Sequence, residues 1–592
     1  MELLILSAQQ SRPGLSCSSA ISGFLRGALV LGSMCCVNAK SSGQQMIWDH
    51  IGDGFREVYP GAFDQLGDLD GDGVRDFIYG MTWNKLVVIR SGSDGSEIWS
   101  HFYPTENSHQ TGFGGAVANL GLFDADGVED YAVGATGYSP AGQAEWAGLV
   151  RVFSGATHQP ILDIFENNGN EFLGRQVVGL GDVNGDGFVD FGVSDGGAGT
   201  FRVYLGPNGT LLREHPEAST YGEANGPIGD FDGDGCDDYL IGQFCCHEST
   251  IWGAGRVLLY SGRSGALLLT MEGTRSRRQA GLSVSRGGDW NGDGIEDIVA
   301  GAPGTGILQG GHERSGVYVF SGADGSELHF FDGEDYCLLD SGFGWTVSSG
   351  KDVNGDGVPD LLVGAPLEPY ATGGPGVSGR GSAFLFSGAT RGLLWEYTGE
   401  QMGQAAGGRV KLIDDHNGDG LADWMVLSPT FDSTPSVPQG PEGGRLSVFA
   451  GAFGDIDPAC SGGPNSVGAG ALLWNSGPIS VRENALELVV SEMPKSTPAL
   501  LIHGQALAPG LPFGAGELCL PAPLAVLAVV TTGSGGPPGA SNHAKVLVDL
   551  EGPPFTNGGN QVRPGDTWAF QFLYRDQGQR NTSNALRAVF VP

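Results

Sequence analysis

The chain is poor in positive charge. Its 592 residues carry 31 lysines and arginines against 67 acids, a formal net charge of −36. Such a balance makes nucleic acid and anionic membranes poor partners. Long apolar runs are also missing: beyond residue 39 no stretch is long enough to span a bilayer. Cysteine and methionine are scarce, at 9 and 8 residues. There is no Gly-x-Ser-x-Gly elbow, no His-Glu-x-x-His helix and no phosphate-binding loop. The histidines His109, His158, His247, His312 and His329 stand singly, as surface histidines do. No catalytic residue can be named, and the expectation is a protein that is not an enzyme.

Glycine, by contrast, is abundant, with 103 residues placed at fixed points of a repeat, where they read as turns. Seven times an acidic loop of nine residues runs into a short apolar strand. The loops start at Asp68, Leu122, Asp182, Asp230, Asp289, Asp352 and Asp415, spaced 48 to 63 residues apart. A period of this size means one supersecondary unit copied in tandem.

Positions 1, 3 and 5 of each complete loop are Asp or Asn, position 6 is Gly and position 9 is Asp. Position 7 offers its backbone carbonyl. The first loop supplies Asp68, Asp70, Asp72, Val74 and Asp76. The third supplies Asp182, Asn184, Asp186, Phe188 and Asp190, and the fourth Asp230, Asp232, Asp234, Cys236 and Asp238. The fifth has Asp289, Asn291, Asp293, Ile295 and Asp297; the sixth has Asp352, Asn354, Asp356, Val358 and Asp360. The seventh has Asp415, Asn417, Asp419, Leu421 and Asp423. In the second loop Leu122 replaces the first acid and leaves Asp124, Asp126 and Asp130, a weak or empty site.

Alternating carboxylates on a tight turn give hard oxygen ligands, which suit Ca²⁺ with its six to eight oxygens better than Mg²⁺. Asp-Gly turns also close hairpins without metal, but six complete copies favour about six Ca²⁺ sites, structural rather than catalytic. The first half of the loop matches an EF-hand, which needs a Glu at position 12 and a following helix. Here position 12 is Tyr79, Val193, Ile241, Ala300, Val363 or Val426, inside a β-favouring run.

A longer pattern surrounds each loop. Phe-Gly and a Val precede it (Phe113-Gly114, Phe343-Gly344), and Gly-Ala or Gly-Ala-Pro follows (Gly301-Ala302-Pro303, Gly364-Ala365-Pro366). A strand ending in Ser-Gly comes next, as at Gly316–Gly322, and then a last strand, as at Asp324–Phe330. Four strands per repeat result. These residues resemble the FG-GAP repeats of the integrin α-subunit β-propeller, over roughly Ile47 to Gly454. The resemblance implies an all-β, seven-bladed propeller (46–454) with calcium in loops on one face. The seventh repeat stops at Gly451 without its last strand. Met46–His50 resembles Glu97–His101 and is expected to pair into that blade and close the ring.

The flanks complete the reading. Residues 1–39 resemble a bacterial-type export signal ending Val37-Asn38-Ala39, which places the protein outside the cell, secreted or at its surface. Export permits disulfides; Cys460–Cys519 is the best pair, and Cys236 with Cys245 or Cys246 is a second. A linker (455–466) leads to alternating apolar runs at 479–482, 486–490, 500–503, 525–530, 545–549, 567–574 and 586–590, the pattern of a small β-sandwich (467–592). With Pro564–Gln571, Tyr574–Asp576 and Ser583–Leu586 this region resembles the C-terminal domain of exported planctomycete-type bacterial proteins.

The leading functional expectation is a calcium-stabilised surface or secreted propeller binding a protein or glycan through its variable loops, 138–147, 304–315 and 368–380. The alternatives are a calcium-dependent polysaccharide lyase or glycosidase on the same scaffold, and a purely structural matrix component.

Overall fold

A computed structural model describes residues 46–451, apart from 52–61, 104–111, 140–145, 166–170, 217–224, 245–250, 305–313, 338–340, 368–378, 431–443 and single positions 83, 125, 198 and 402. Beyond 471 it describes the backbone of strands alone.

Each of the first six repeats is a four-stranded antiparallel meander whose spatial order equals its chain order. Blade 1 consists of Phe63–Gln65, Phe77–Met81, Leu86–Arg90 and Glu97–Phe102. Blades 2 to 6 follow in 113–165, 176–215, 225–272, 283–332 and 346–398. The second strand of every blade is buried along its whole length, as in Asp360–Ala365, because neighbouring blades cover both of its faces. That explains the continuous apolar runs after each acidic loop. The fourth strands of blades 1 to 4 are exposed or half-buried along most of their length, as in Glu97–Phe102, whereas that of blade 6, Leu393–Thr398, is mostly buried. First strands from all seven blades line a central channel of about 570 Å³. The innermost strand therefore has a free edge, and Pro227, which has no N–H to donate, sits on it at no cost to pairing.

The Phe-Gly and Gly-Ala signatures are two halves of one inter-blade contact. A Cβ on Gly80, Gly134, Gly301 or Gly364 would lie 1.9 to 2.2 Å from the carbonyl oxygen of Gly114, Gly174, Gly344 or Gly407 of the next blade. Only two glycines allow backbones to approach so closely.

The ring closes as the sequence indicates. Met46–Ile51 pairs antiparallel with Arg445–Phe449 and becomes the fourth strand of blade 7, outside 423–428 and 409–413. Trp48, Met425 and Val448 of that blade share a core with Phe77, Tyr79 and Val88 of blade 1. Buried Arg445 fixes the added strand: its Nε lies 2.9 Å from Asp49 Oδ1, and Nη1 lies 3.2 Å from Glu400.

Beyond the propeller, 472–475, 487–491 and 544–547 form one sheet. Strands 525–531, 498–504, 567–576 and 579–589 form a second, and 511–513 pairs with 516–518. Six of the seven expected runs fall on these strands; 479–482 lies outside the described residues, as do the signal segment and the pair Cys460–Cys519. Among the described residues the one helical element is the 3-10 turn Gly333–Asp335, and no helix is long and apolar enough to cross a membrane.

Candidate metal centre

In a meander the first-to-second and third-to-fourth connections leave by the same face. The seven acidic loops, the six third-to-fourth turns and the end of the third strand of blade 7 therefore gather on one rim of the propeller. The aspartate at position 9 ties the two together. Its Oδ2 accepts the N–H of loop position 2 in every blade, at 2.7 Å from Leu69 to Asp76 and 2.9 Å from Val353 to Asp360. Its Oδ1 accepts the N–H of the glycine that ends the third strand, from Gly92, Gly155, Gly206, Gly262, Gly322, Gly388 and Gly451. That glycine is obligatory, since a Cβ on Gly92 would stand 2.0 Å from the carbonyl of Arg75, and the other six are similarly placed.

The first-position carboxylate curls the loop around itself. Asp182 Oδ1 accepts from Gly185 and Asp186, and Oδ2 accepts from Gly187 at 2.7 Å. Asp68, Asp289 and Asp415 do the same. Asp352 accepts from Gly355 and Gly357. Asp230 holds only Gly235, at 3.0 Å, so its loop is the loosest of the complete six. The position 5 carboxylate accepts the N–H of the position 7 residue, from Val74, Phe188, Cys236, Ile295, Val358 and Leu421.

Among the described residues, three sets of carboxylate oxygens lie within 4.8 Å of one another: Asp68, Asp70 and Asp76; Asp124, Asp126 and Asp130; Asp230, Asp232 and Asp234. The second loop, despite Leu122, thus still brings its remaining acids together. These groups could hold a metal ion, and every donor is an oxygen. The electrostatics fit that use. The position 9 aspartates are fully buried. Burial pushes Asp76 and Asp423 up to about 6 and Asp190 to about 7, against the two backbone hydrogen bonds that pull down. The nearby acids at positions 1, 3 and 5 add to the rise. A cation among them would reverse both effects. Residues 74, 188, 236, 295, 358 and 421 are placed by the same turn, so that the chain's oxygens alternate along each loop.

Serine at the end of the third strand joins the loop, a role that the acidic pattern alone does not indicate. Ser91 Oγ donates to Asp72 Oδ2 at 3.2 Å, Ser93 Oγ bonds the same oxygen, and Ser387 Oγ donates to Asp356 Oδ2 at 3.3 Å. The Ser93 bond is the main reason Asp72 is held below the usual carboxylate range. The recurring Ser-Gly was the available signal.

Two expectations are corrected. Cys236 is a free, buried thiol turned toward Gly185 of the preceding loop, so it makes no disulfide with Cys245 or Cys246. His158 and His329 are half-buried between blades rather than free at the surface. His158 stacks on Trp99 at 4.9 Å, and His329 lies 4.5 Å from Phe331. His109, His247 and His312 lie outside the described residues.

Comparison with known proteins agrees with this architecture. The FG-GAP repeat family matches residues 343–385, from the Phe-Gly pair of the sixth repeat through its third strand. Integrin alpha-5 of Xenopus laevis is 30% identical over 208 residues, 32% of this chain and 19% of that protein. Integrin alpha-PS2 of Drosophila melanogaster is 31% identical over 223 residues, 33% of this chain and 15% of that protein. Integrin alpha-V of Gallus gallus is 38% identical over 87 residues, or 15% and 7%. The matched region thus spans less than a fifth of the length of these relatives. The chain is a seven-bladed β-propeller that carries an FG-GAP repeat and is similar, over about a third of its length, to integrin alpha proteins.

Proposed function

We propose that the protein is an exported, non-enzymatic binding module whose acidic loops hold Ca²⁺ and keep the wheel rigid, while the opposite rim takes a protein or glycan. The observation that carries the metal half is the acidic loop repeated seven times on one rim with a buried aspartate at its base, three copies of which gather carboxylate oxygens within 4.8 Å. The residues that would hold the ion are those at positions 1, 3, 5, 7 and 9 of each loop. When bound, Ca²⁺ supplies charge neutralisation and loop order. Two features support the binding half. The long variable segments 138–147, 304–315 and 368–380 fall between second and third strands in the chain, and those strands have their described ends at the other rim. Trp146 stands in the first of these segments and Trp252 on the corresponding connection of blade 4, between Asp238–Gln243 and Arg256–Tyr260, 37% and 58% exposed. Kinship with integrin alpha proteins favours a protein ligand over a glycan.

The test has two arms. Excess chelator should lower the melting temperature by many degrees, with recovery on adding Ca²⁺ but not equal Mg²⁺; an unchanged melting curve removes the metal reading. Native-partner capture and a glycan array, each with and without Trp252→Ala, should show retention that depends on the tryptophan. Retention by the variant equal to the parent moves the ligand to another surface.

A further inference from the structure

The loops of blades 3 and 4 are joined more closely than their neighbours. Asp237 stands between Cys236 and Asp238, at positions 7 and 9 of the fourth loop. Its Oδ2 accepts the N–H of Asp182 at 2.8 Å, and its own N–H donates to the carbonyl of Asp182 at 2.9 Å. One residue of the fourth loop thus grips both backbone groups around the first acid of the third. Two side chains strengthen the contact. The Cys236 thiol packs against Gly185, between Asn184 and Asp186. Arg263 of blade 4 reaches Gly185 from one side and lies 3.5 Å from Asp234 on the other.

The next boundary lacks this arrangement. Glu296 takes the place of Asp237 in the fifth loop and pairs with Arg286 of its own blade, at 2.7 Å. Around Gly229, the counterpart of Gly181, the space is open, whereas a Cβ on Gly181 would collide with Asp237. Loop 5 is therefore an internal control within the same molecule.

We propose that the third and fourth loops take up divalent cations as a coupled pair, with Asp237 as the residue that transmits the coupling. The inference rests on the cation reading given above. Its physical basis is direct. A cation in loop 4 fixes the backbone from Cys236 to Asp238. Asp237, held between those two ligands, then fixes Asp182 in its binding position. By reciprocity a cation in loop 3 does the same for loop 4. With both loops filled, the negative charge of the Asp237 carboxylate, bonded to the Asp182 N–H, would offset part of the repulsion between the cations.

The experiment uses the full chain, stripped with chelator and returned to graded free Ca²⁺, with hydrogen–deuterium exchange read separately for segments 182–190, 230–238 and 289–297. Asp186→Asn weakens loop 3 at an exposed position. The expected result is a shift of at least about five-fold in the Ca²⁺ midpoint of 230–238, the lower end of ordinary coupling. The midpoint of 289–297 should stay in place. Adding Asp237→Ala, which removes the side-chain acceptor and keeps the backbone N–H, should shrink the transfer to less than half. A midpoint for 230–238 unmoved by Asp186→Asn overturns the coupling while leaving the cation reading intact. A shift of full size in the Asp237→Ala background overturns the role of Asp237. Protection in none of the three segments at any Ca²⁺ concentration overturns the cation reading itself.

Discussion

The Nε2 of His101, on the fourth strand of blade 1, stands 2.8 Å from the phenolic oxygen of Tyr131, on the second strand of blade 2. His215 and Tyr239 rebuild the pair between blades 3 and 4 at 2.9 Å, and the ring of His50 lies 5.4 Å from Tyr79 between blades 7 and 1. The Tyr131 oxygen also meets His158 Nδ1 at 3.2 Å. Tyr131→Phe removes the shared oxygen and strands buried imidazole nitrogens, a loss of about 1–3 kcal/mol. Urea unfolding at pH 7.5 checks this; a midpoint equal to the parent's removes the pair from the list of inter-blade contacts.

These histidines set a pH dependence. Burial lowers His101, His215 and His329 from the usual 6.5 to about 4. Between those values the unfolded chain binds protons that the folded chain refuses. The stability from neutral histidine is complete above pH 6.5 and is lost as pH falls toward 4. His215→Phe should therefore lose stability less steeply than the parent between pH 6.5 and 4.5, at one fixed, saturating Ca²⁺ concentration. Parallel slopes would mean that His215 titrates normally.

The two kinds of loop acid should respond differently to the same change. Asp360 is fully buried and accepts from Val353 and Gly388, so Asp360→Asn removes one acceptor whether or not metal is present. It should cost about 1–3 kcal/mol even in chelator. Asp356 is exposed, and Asp356→Asn should be nearly silent in chelator and costly only with Ca²⁺. Melting curves of both variants in both conditions decide the matter, and equal losses under chelation would contradict the division of labour.

Ring closure depends on one buried cation. Asp49→Ala removes the nearer of the two acids that the Arg445 guanidinium meets among the described residues, the other being the largely exposed Glu400. Breaking such a pair costs about 3–5 kcal/mol. Limited proteolysis should then cut first next to residues 46–51, and an unchanged cleavage pattern counts against a latch at this point.

A stabilising change is also available. The turn from third to fourth strand needs a left-handed residue, which is Gly95, Gly209, Gly265 and Gly325 in four blades, at φ 68 to 75°. His158 and Arg391 occupy that place at φ 57° and 61°. His158 is compensated by Trp99 and Tyr131, whereas Arg391 is exposed. Arg391→Gly should gain up to about 1 kcal/mol, the strain of a side chain in this region less the entropy of glycine. His158→Gly should lose stability. The same sign for both in thermal melts would show that the backbone alone decides.

Much of the wheel could be read in the chain because its signals are local. Nine consecutive residues carry each acidic loop, and the unpaired seventh repeat with the spare strand at Met46–His50 indicates how the ring closes. The Phe-Gly and Gly-Ala motifs were visible as motifs, but their cause was not: Gly80 meets Gly114, 34 residues away and in another blade. The same limit hid the His101–Tyr131 pair, the Arg445–Asp49 latch and the grip of Asp237 on Asp182. Each joins residues that only the stacking of blades brings together. Cys236 misled for the same reason, since proximity to Cys245 in sequence said nothing of the neighbouring loop that buries its thiol.

The strand Met46–Ile51 has a consequence for how the molecule comes into being. It is synthesised before any blade exists, yet the residue that secures it, Arg445, follows Asp49 by 396 positions. Until those last segments emerge, the nascent chain carries a bare β edge at each extremity of a curved stack. Such edges recruit other strands, and a loop this long closes slowly. A chain interrupted shortly before Arg445 would own every acidic loop and still be unable to fasten itself, leaving it prone to join end to end with its own kind.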